Sequence, residues 1–144
     1  RMTRFWITLE EGADFVLRAF HRMNGGEVFV PKLPSMNIMD LAKAIAPECE
    51  TKIVGIRPGE KIHEVLVPRD EARFAVECDD YFIVNTREKP EAKKLYTRCN
   101  ILPDDFEYSS GTNDWWLTPS EIAERIEKNQ EGGTGREKGL ALAN

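Results

Sequence analysis

The stretch Ile53–Val67, "IVGIRPGEKIHEVLV", opens as an apolar run, breaks on Arg-Pro-Gly-Glu-Lys and then resumes with apolar residues. With Thr51 and Lys52 ahead of it, "TKIVGI" predicts a strand, and the charged break predicts a turn. Pro58 fixes its own φ, and Gly59 lets a ligand or another backbone come close. Arg57, at the end of the expected strand, offers a planar fork of donors suited to a diphosphate. Glu60 follows one turn-length on and can accept hydrogen bonds from ribose hydroxyls. By spacing alone, a surface turn closed by an Arg–Glu pair explains the stretch at least as well as an anion site does.

Upstream, "RFWIT" (4–8) predicts a short strand, and Thr8 with Glu11 forms the T-x-x-E signature of a capped helix start. Leu9, Ala13, Val16, Leu17 and Phe20 then recur at helical spacing on one face. "NGGE" (24–27) stops that helix, "VFVP" (28–31) predicts a strand, and Ile38, Leu41, Ala42 and Ile45 mark a second helix that Pro47 ends. Downstream, "ARFAVECDDYFIVN" (72–85) predicts a hairpin turning at Cys78-Asp79-Asp80, and residues 86–100 a polar connector. Thr118, Pro119 and Glu121 cap a last helix, after which the Gly-rich residues 129–144 predict a flexible tail. The expected fold is therefore a small mixed α/β domain of short strands and helices over 1–128.

The chain has 144 residues, enough for one core, and 41% of them are hydrophobic. A net charge of −5 argues against general nucleic-acid binding, which needs a basic footprint, but leaves room for a local basic pocket. No apolar run approaches the roughly 18 residues of a membrane span, and no secretory leader opens the sequence. Cys49, Cys78 and Cys99 are odd in number and widely spaced, so they read as free thiols in a reducing cytoplasm.

Several chemistries are missing. "TGREKGLA" (134–141) superficially matches a dinucleotide loop, but no predicted strand leads into it and the sequence stops three residues later. Tyr81, Tyr96 and Tyr108 are followed at the fourth position by Asn85, Asn100 and Thr112, so no Tyr-x-x-x-Lys pair exists to lower a phenol's pKa. Ser109 and Ser110 lack a G-x-S-x-G setting. "EKIHE" (60–64) is not H-E-x-x-H, and the two histidines, His21 and His63, read as partly exposed helix residues.

Four blocks taken together, "MTRFWITLEEGADFVLRAF", "GGEVFVPKLPSMNIMDLAKAIAP", "IVGIRPGEKIHEVLV" and "FEYSSGTNDWWLT", resemble the C-terminal half of inverting UDP-N-acetylglucosamine 4,6-dehydratases. These belong to the polysaccharide-biosynthesis branch of the extended short-chain dehydrogenase/reductase superfamily, and the match covers residues 1–127. The resemblance implies a substrate lobe that closes over a UDP-sugar, with NADP and the Tyr-x-x-x-Lys chemistry on a Rossmann lobe to which nothing here corresponds. It implies that Arg57 faces the diphosphate, Glu60 the nucleoside side, and Arg4 another part of the nucleotide-sugar, with Thr3 and Thr8 as weaker candidates. "EYSSGTN" (107–113) matches a family signature whose simplest role is packing or subunit contact. Two further expectations follow. The chain alone is catalytically incomplete, and apolar surface at "FWI" (5–7) and "DWW" (114–116) awaits a Rossmann lobe or a second copy in a homo-oligomer. A free-standing oligomeric interaction protein derived from that lobe is the alternative.

Overall fold

The computed structural model describes residues 1–85 and 89–137. The expected mixed α/β architecture is present, built on three small sheets. Its centre is a four-stranded antiparallel sheet of β2 (Val28–Pro31), β6 (Tyr81–Val84), β5 (Ala75–Glu77) and β7 (Asn100–Ile101), in that spatial order. Alternation along these strands divides the core in two. Val30, Phe82 and Ala75 point to one face, where Val67, Leu102 and Tyr108 close over them. Ile83 and Val76 point to the other, against Cys78, Cys99 and Ala92 of α4 (Lys89–Leu95).

A second ladder pairs β1 (Thr3–Phe5) with β3 (Ser35–Asn37), antiparallel, with Thr3 opposite Asn37 and Phe5 opposite Ser35. Helix α2 (Ile38–Ile45) follows directly, because the Asn37 side chain accepts the Met39 N–H and caps it. It packs with α5 (Pro119–Glu137) around Met36, Leu117 and Ile122. The third ladder joins β4 (Val65–Val67) to β8 (Tyr108–Ser109). A single turn, α3 (Arg69–Ala72), connects β4 to β5.

Helix α1 (Leu9–Arg22) begins at the expected capping box. The Thr8 hydroxyl accepts the Glu11 N–H at 3.1 Å, and the Glu11 carboxylate accepts the Thr8 N–H at 2.8 Å. That backbone N–H, ahead of smaller contributions from the Thr8 hydroxyl and Arg125, holds the Glu11 carboxyl below its usual range against partial burial. The helix is held by its polar side: Arg18 and Arg22 pair with Asp80, and Arg125 with Glu11. Its apolar face is left out. No residue of α1 is buried, and Leu9, Val16, Leu17 and Phe20 are 80%, 64%, 61% and 71% exposed.

Four expectations need correcting. "TKIVGI" is not a strand: residues 51–56 are irregular and exposed, Gly55 turns the chain at φ +84°, and no strand among the described residues pairs with them. An extended run without a partner makes no ladder, whatever its composition. Part of the 86–100 connector is helix α4, anchored by Ala92 on the sheet. The boundary at 128 also moves, since α5 runs on to Glu137; glycine weakens a helix but keeps its N–H and so need not stop it. Residues 138–144 of the expected tail lie outside the described residues. Finally, Cys78 and Cys99 are joined in a disulfide, and only Cys49 is a free, exposed thiol. The cysteine argument for a reducing compartment therefore falls. Among the described residues, no helix is long and apolar enough to cross a membrane.

Candidate nucleotide-sugar site

The Arg-Pro-Gly-Glu turn is real. The Glu60 N–H donates to the Arg57 carbonyl at 3.0 Å, and Gly59 carries φ +82°, which together with Pro58 gives the signature of a type II turn. Glu60 reaches back, and its Oε2 accepts the Arg57 N–H at 3.0 Å. One carboxylate oxygen thus locks the turn from within. The Arg57 guanidinium projects from an exposed residue, and none of the ion pairs among the described residues engages it.

Arg4 has a different station. From β1 its guanidinium donates to the carbonyls of Lys61 at 3.0 Å, Ile62 at 3.3 Å and Thr3 at 2.7 Å, and its Nε lies 3.3 Å from Glu64 Oε1. Most of its fork is spent fastening the segment after the turn, and the side chain is 23% exposed. Arg4 therefore acts on the Arg57 turn by holding the irregular segment that leaves it.

Thr3 is buried, and its hydroxyl bonds to His63 Nδ1 at 2.7 Å and Ser110 Oγ at 2.8 Å. Thr8 is committed to its capping box. The two threonines named as candidates are thus an internal link and a helix cap. His63 sits in a bend just before β4, not on a helix as the sequence predicts, while His21 is on α1 and bonds to the Leu17 carbonyl.

The "YSSGTN" segment, from which sequence reasoning drew only packing or subunit contact, is a strap across these pieces. The Ser110 N–H donates to the Glu64 carbonyl, and Ser110 Oγ accepts the Glu64 N–H at 2.9 Å. Asn113 Nδ2 donates to the carbonyls of Leu33 and Trp115 and to Ser35 Oγ, at 2.8, 3.0 and 3.0 Å. The Tyr108 hydroxyl accepts the Leu33 N–H and donates to the Leu33 carbonyl. Burial pushes the Tyr108 phenol up despite the Leu33 bond, which keeps its proton in place for that donation. The strap ties the β1–β3 ladder, through Thr3 and Ser35, to the β4–β8 ladder, and the segment carrying Arg57 runs into that knot at Glu64. The signal for it was present in the sequence as small hydroxyls and an asparagine between two core stretches.

A polar cleft of about 270 Å³ beside Tyr108 holds one cation, Lys32, already paired with Glu77 at 2.8 Å. It offers no free charge to an anion. The apolar patches expected at 5–7 and 114–116 are only partly exposed, Trp115 at 50% and Trp116 at 41%. The larger bare surface is the α1 groove lined by Ile7, Gly12, Phe15, Val16, Phe20 and Met23. Of the stretch "TGREKGLA", Thr134–Glu137 lie inside α5, and 138–141 lie outside the described residues.

The chain is similar to known proteins over most of its length. The family model described as "Polysaccharide biosynthesis protein" matches residues 1–86. An inverting UDP-N-acetylglucosamine 4,6-dehydratase of Campylobacter jejuni serotype O:2 is 44% identical over 133 residues, 88% of this chain and 40% of the relative. A UDP-glucose 4-epimerase of Rickettsia rickettsii is 40% identical over 85 residues, 56% of this chain and 25% of the relative. Among solved structures, Pen from Bacillus thuringiensis superposes with a TM-score of 0.70 at 26% identity, over 90% of this chain and 39% of that one. The chain spans about two fifths of the length of the dehydratases it matches. By these matches, the chain belongs to the polysaccharide-biosynthesis protein family of the extended short-chain dehydrogenase/reductase superfamily.

Proposed function

We propose that this chain is the UDP-sugar-holding lobe of a C5-inverting UDP-N-acetylglucosamine 4,6-dehydratase acting in polysaccharide or glycan biosynthesis. The observation that carries the reading is the Arg57 turn. It is an exposed guanidinium on a turn closed by Glu60, with the segment that leaves the turn fastened by Arg4. Such a turn presents donors to a diphosphate without reorganising first. A second, cofactor-bearing lobe would supply NADP and the Tyr-x-x-x-Lys pair. The bare apolar side of α1 and the exposed Ile53 and Val54, at 87% and 78%, are surfaces for it to cover. Alone, the chain binds weakly and turns nothing over, because a ligand clasped by half a cleft loses contacts and preorganisation.

Isothermal titration tests this. UDP and UDP-N-acetylglucosamine should bind in the millimolar range, and Arg57→Ala should weaken both by about tenfold or more. No heat at millimolar ligand, with the same result for Arg57→Ala, sinks the reading.

The uncovered α1 face favours a second reading, a free-standing oligomeric interaction protein built on the same lobe. Light scattering after size exclusion decides it. An oligomer that Phe20→Glu dissolves supports this reading, and a clean monomer at high concentration removes it.

A further inference from the structure

His63 is placed more tightly than an exposed histidine needs to be. The Glu64 N–H can only donate, so it occupies one lone pair of Ser110 Oγ. The Ser110 proton then has one acceptor among its recorded neighbours, Thr3 Oγ1 at 2.8 Å. The Thr3 proton in turn has His63 Nδ1 at 2.7 Å. Each hydroxyl in this chain accepts from one side and donates to the other, and the chain ends on a ring nitrogen that must offer a lone pair. Ser110 and Thr3 are buried, so a reversed chain would leave the Ser110 proton without a partner. The neutral imidazole therefore carries its proton on Nε2, and no hydrogen bond to that nitrogen exists among the described residues.

Gly111 completes the seat. A Cβ on it would stand 2.7 Å from both Cγ and Nδ1 of His63. Its φ is not positive, so this glycine is required by the ring beside it and not by backbone conformation. The ring is held at Nδ1 by the Thr3 hydroxyl and stands against the bare Gly111 backbone, on an exposed residue next to the Lys61 and Ile62 carbonyls that Arg4 fastens.

We propose that His63 is a further ligand-contacting residue of the Arg57 site, donating from Nε2–H to an acceptor oxygen of the bound nucleotide's diphosphate, with Thr3, Ser110 and Gly111 as the residues that position it. This rests on the UDP-sugar reading above and extends it to a second donor, six residues along the chain from Arg57. The charged groups beside it, Arg4 on β1 and Glu64 on its own segment, pair with each other.

Two readouts on the full chain separate the parts. Histidine side-chain ¹⁵N correlation spectra at neutral pH, without ligand, should show His63 with Nδ1 bare and Nε2 protonated, and Gly111→Ala should abolish that single-tautomer signature. Titration with UDP should move the His63 Nε2 resonance. His63→Ala should weaken UDP binding about tenfold, and His63→Gln, which keeps an N–H near the ε position, should recover part of it. Mixed tautomers, or a proton on Nδ1, overturn the positioning chain whatever UDP does. Wild-type binding of UDP that both His63 variants match overturns the contact. If wild type and Arg57→Ala alike fail to bind, the parent reading falls and takes the contact with it, while the tautomer stands or falls on its own spectrum.

Discussion

Reducing the Cys78–Cys99 bridge lowers the melting temperature of this chain by roughly 10 °C. The two cysteines are 21 residues apart in sequence. Opening a loop of that size returns about 3 kcal/mol of chain entropy to the unfolded state. A domain of this length loses about 3 °C for each kcal/mol. The bridge ties the end of β5 to the turn between α4 and β7. At that corner β7 is two residues long, and α4 is seated on Ala92 with Tyr96 packed on the same cluster and donating to Glu27. Reduction should therefore loosen α4 and β7 before the β2–β6 pair. Thermal melts with and without phosphine reductant give the shift, and Cys78→Ala should reproduce it in oxidising buffer. Thiol titration of the denatured chain should find one reactive group before reduction, Cys49, and three after. Three thiols before reduction, with an unmoved melting temperature, would refute the bridge.

That bridge shows where the sequence stops being legible. Local signals were readable wherever one residue acts on its neighbours. Thr8 with Glu11, and Thr118 with Glu121, start their helices through bonds spanning three residues. The hairpin through Cys78–Tyr81 was likewise plain from alternation. The bridge depends on β7 pairing with β5, which sets Asn100 opposite Glu77 and so brings the next residues, Cys99 and Cys78, together. Two residues cannot show a period, so nothing local announced β7. The same limit explains "TKIVGI", whose composition suits a strand while its pairing partner is missing among the described residues. At the site, the Arg57 turn was visible because Pro58 and Gly59 act locally. The parts that brace it were not. Thr3, His63 and Ser110 are 60 and 107 residues apart along the chain, and a hydroxyl at position 3 looks the same whether it faces a ligand or a buried serine. Arg4 was singled out by family resemblance for the ligand, whereas its donors go largely to backbone carbonyls. The α1 pattern was legible as an amphipathic helix, but not which side would be covered.

Asn113→Asp destabilises the chain by about 3 kcal/mol at neutral pH, more than Asn113→Ala does. The Asn113 Nδ2 faces acceptors only where it bonds: two backbone carbonyls and the buried Ser35 hydroxyl. Alanine removes the donors and leaves room for water to serve some of those carbonyls. Aspartate instead sets a negative oxygen against the same carbonyls, and a partly buried carboxylate has little water to screen it. Its carboxyl pKa must then lie above the unfolded value of about 3.9, because the protonated form can donate one bond and the ionised form none. A group whose native pKa is raised favours the fold only while protonated. The deficit of Asn113→Asp is therefore smallest below the unfolded pKa, grows as pH rises through the native pKa, and stays full above it. Urea unfolding at pH 4 and pH 7 should show the aspartate variant approaching the alanine variant in acid and falling below it at neutrality. A pH-independent difference, or aspartate no worse than alanine at pH 7, would show that Asn113 faces solvent and not the strap. The expected loss also reaches the site. Loosening this strap frees Ser110, and with it the hold on Thr3, His63 and the Glu64 backbone. Asn113→Asp should thus weaken UDP binding at pH 7 by more than its unfolded fraction accounts for, although the bonds of Asn113 go to Leu33, Ser35, Trp115 and Trp116 and not to the Arg57 turn.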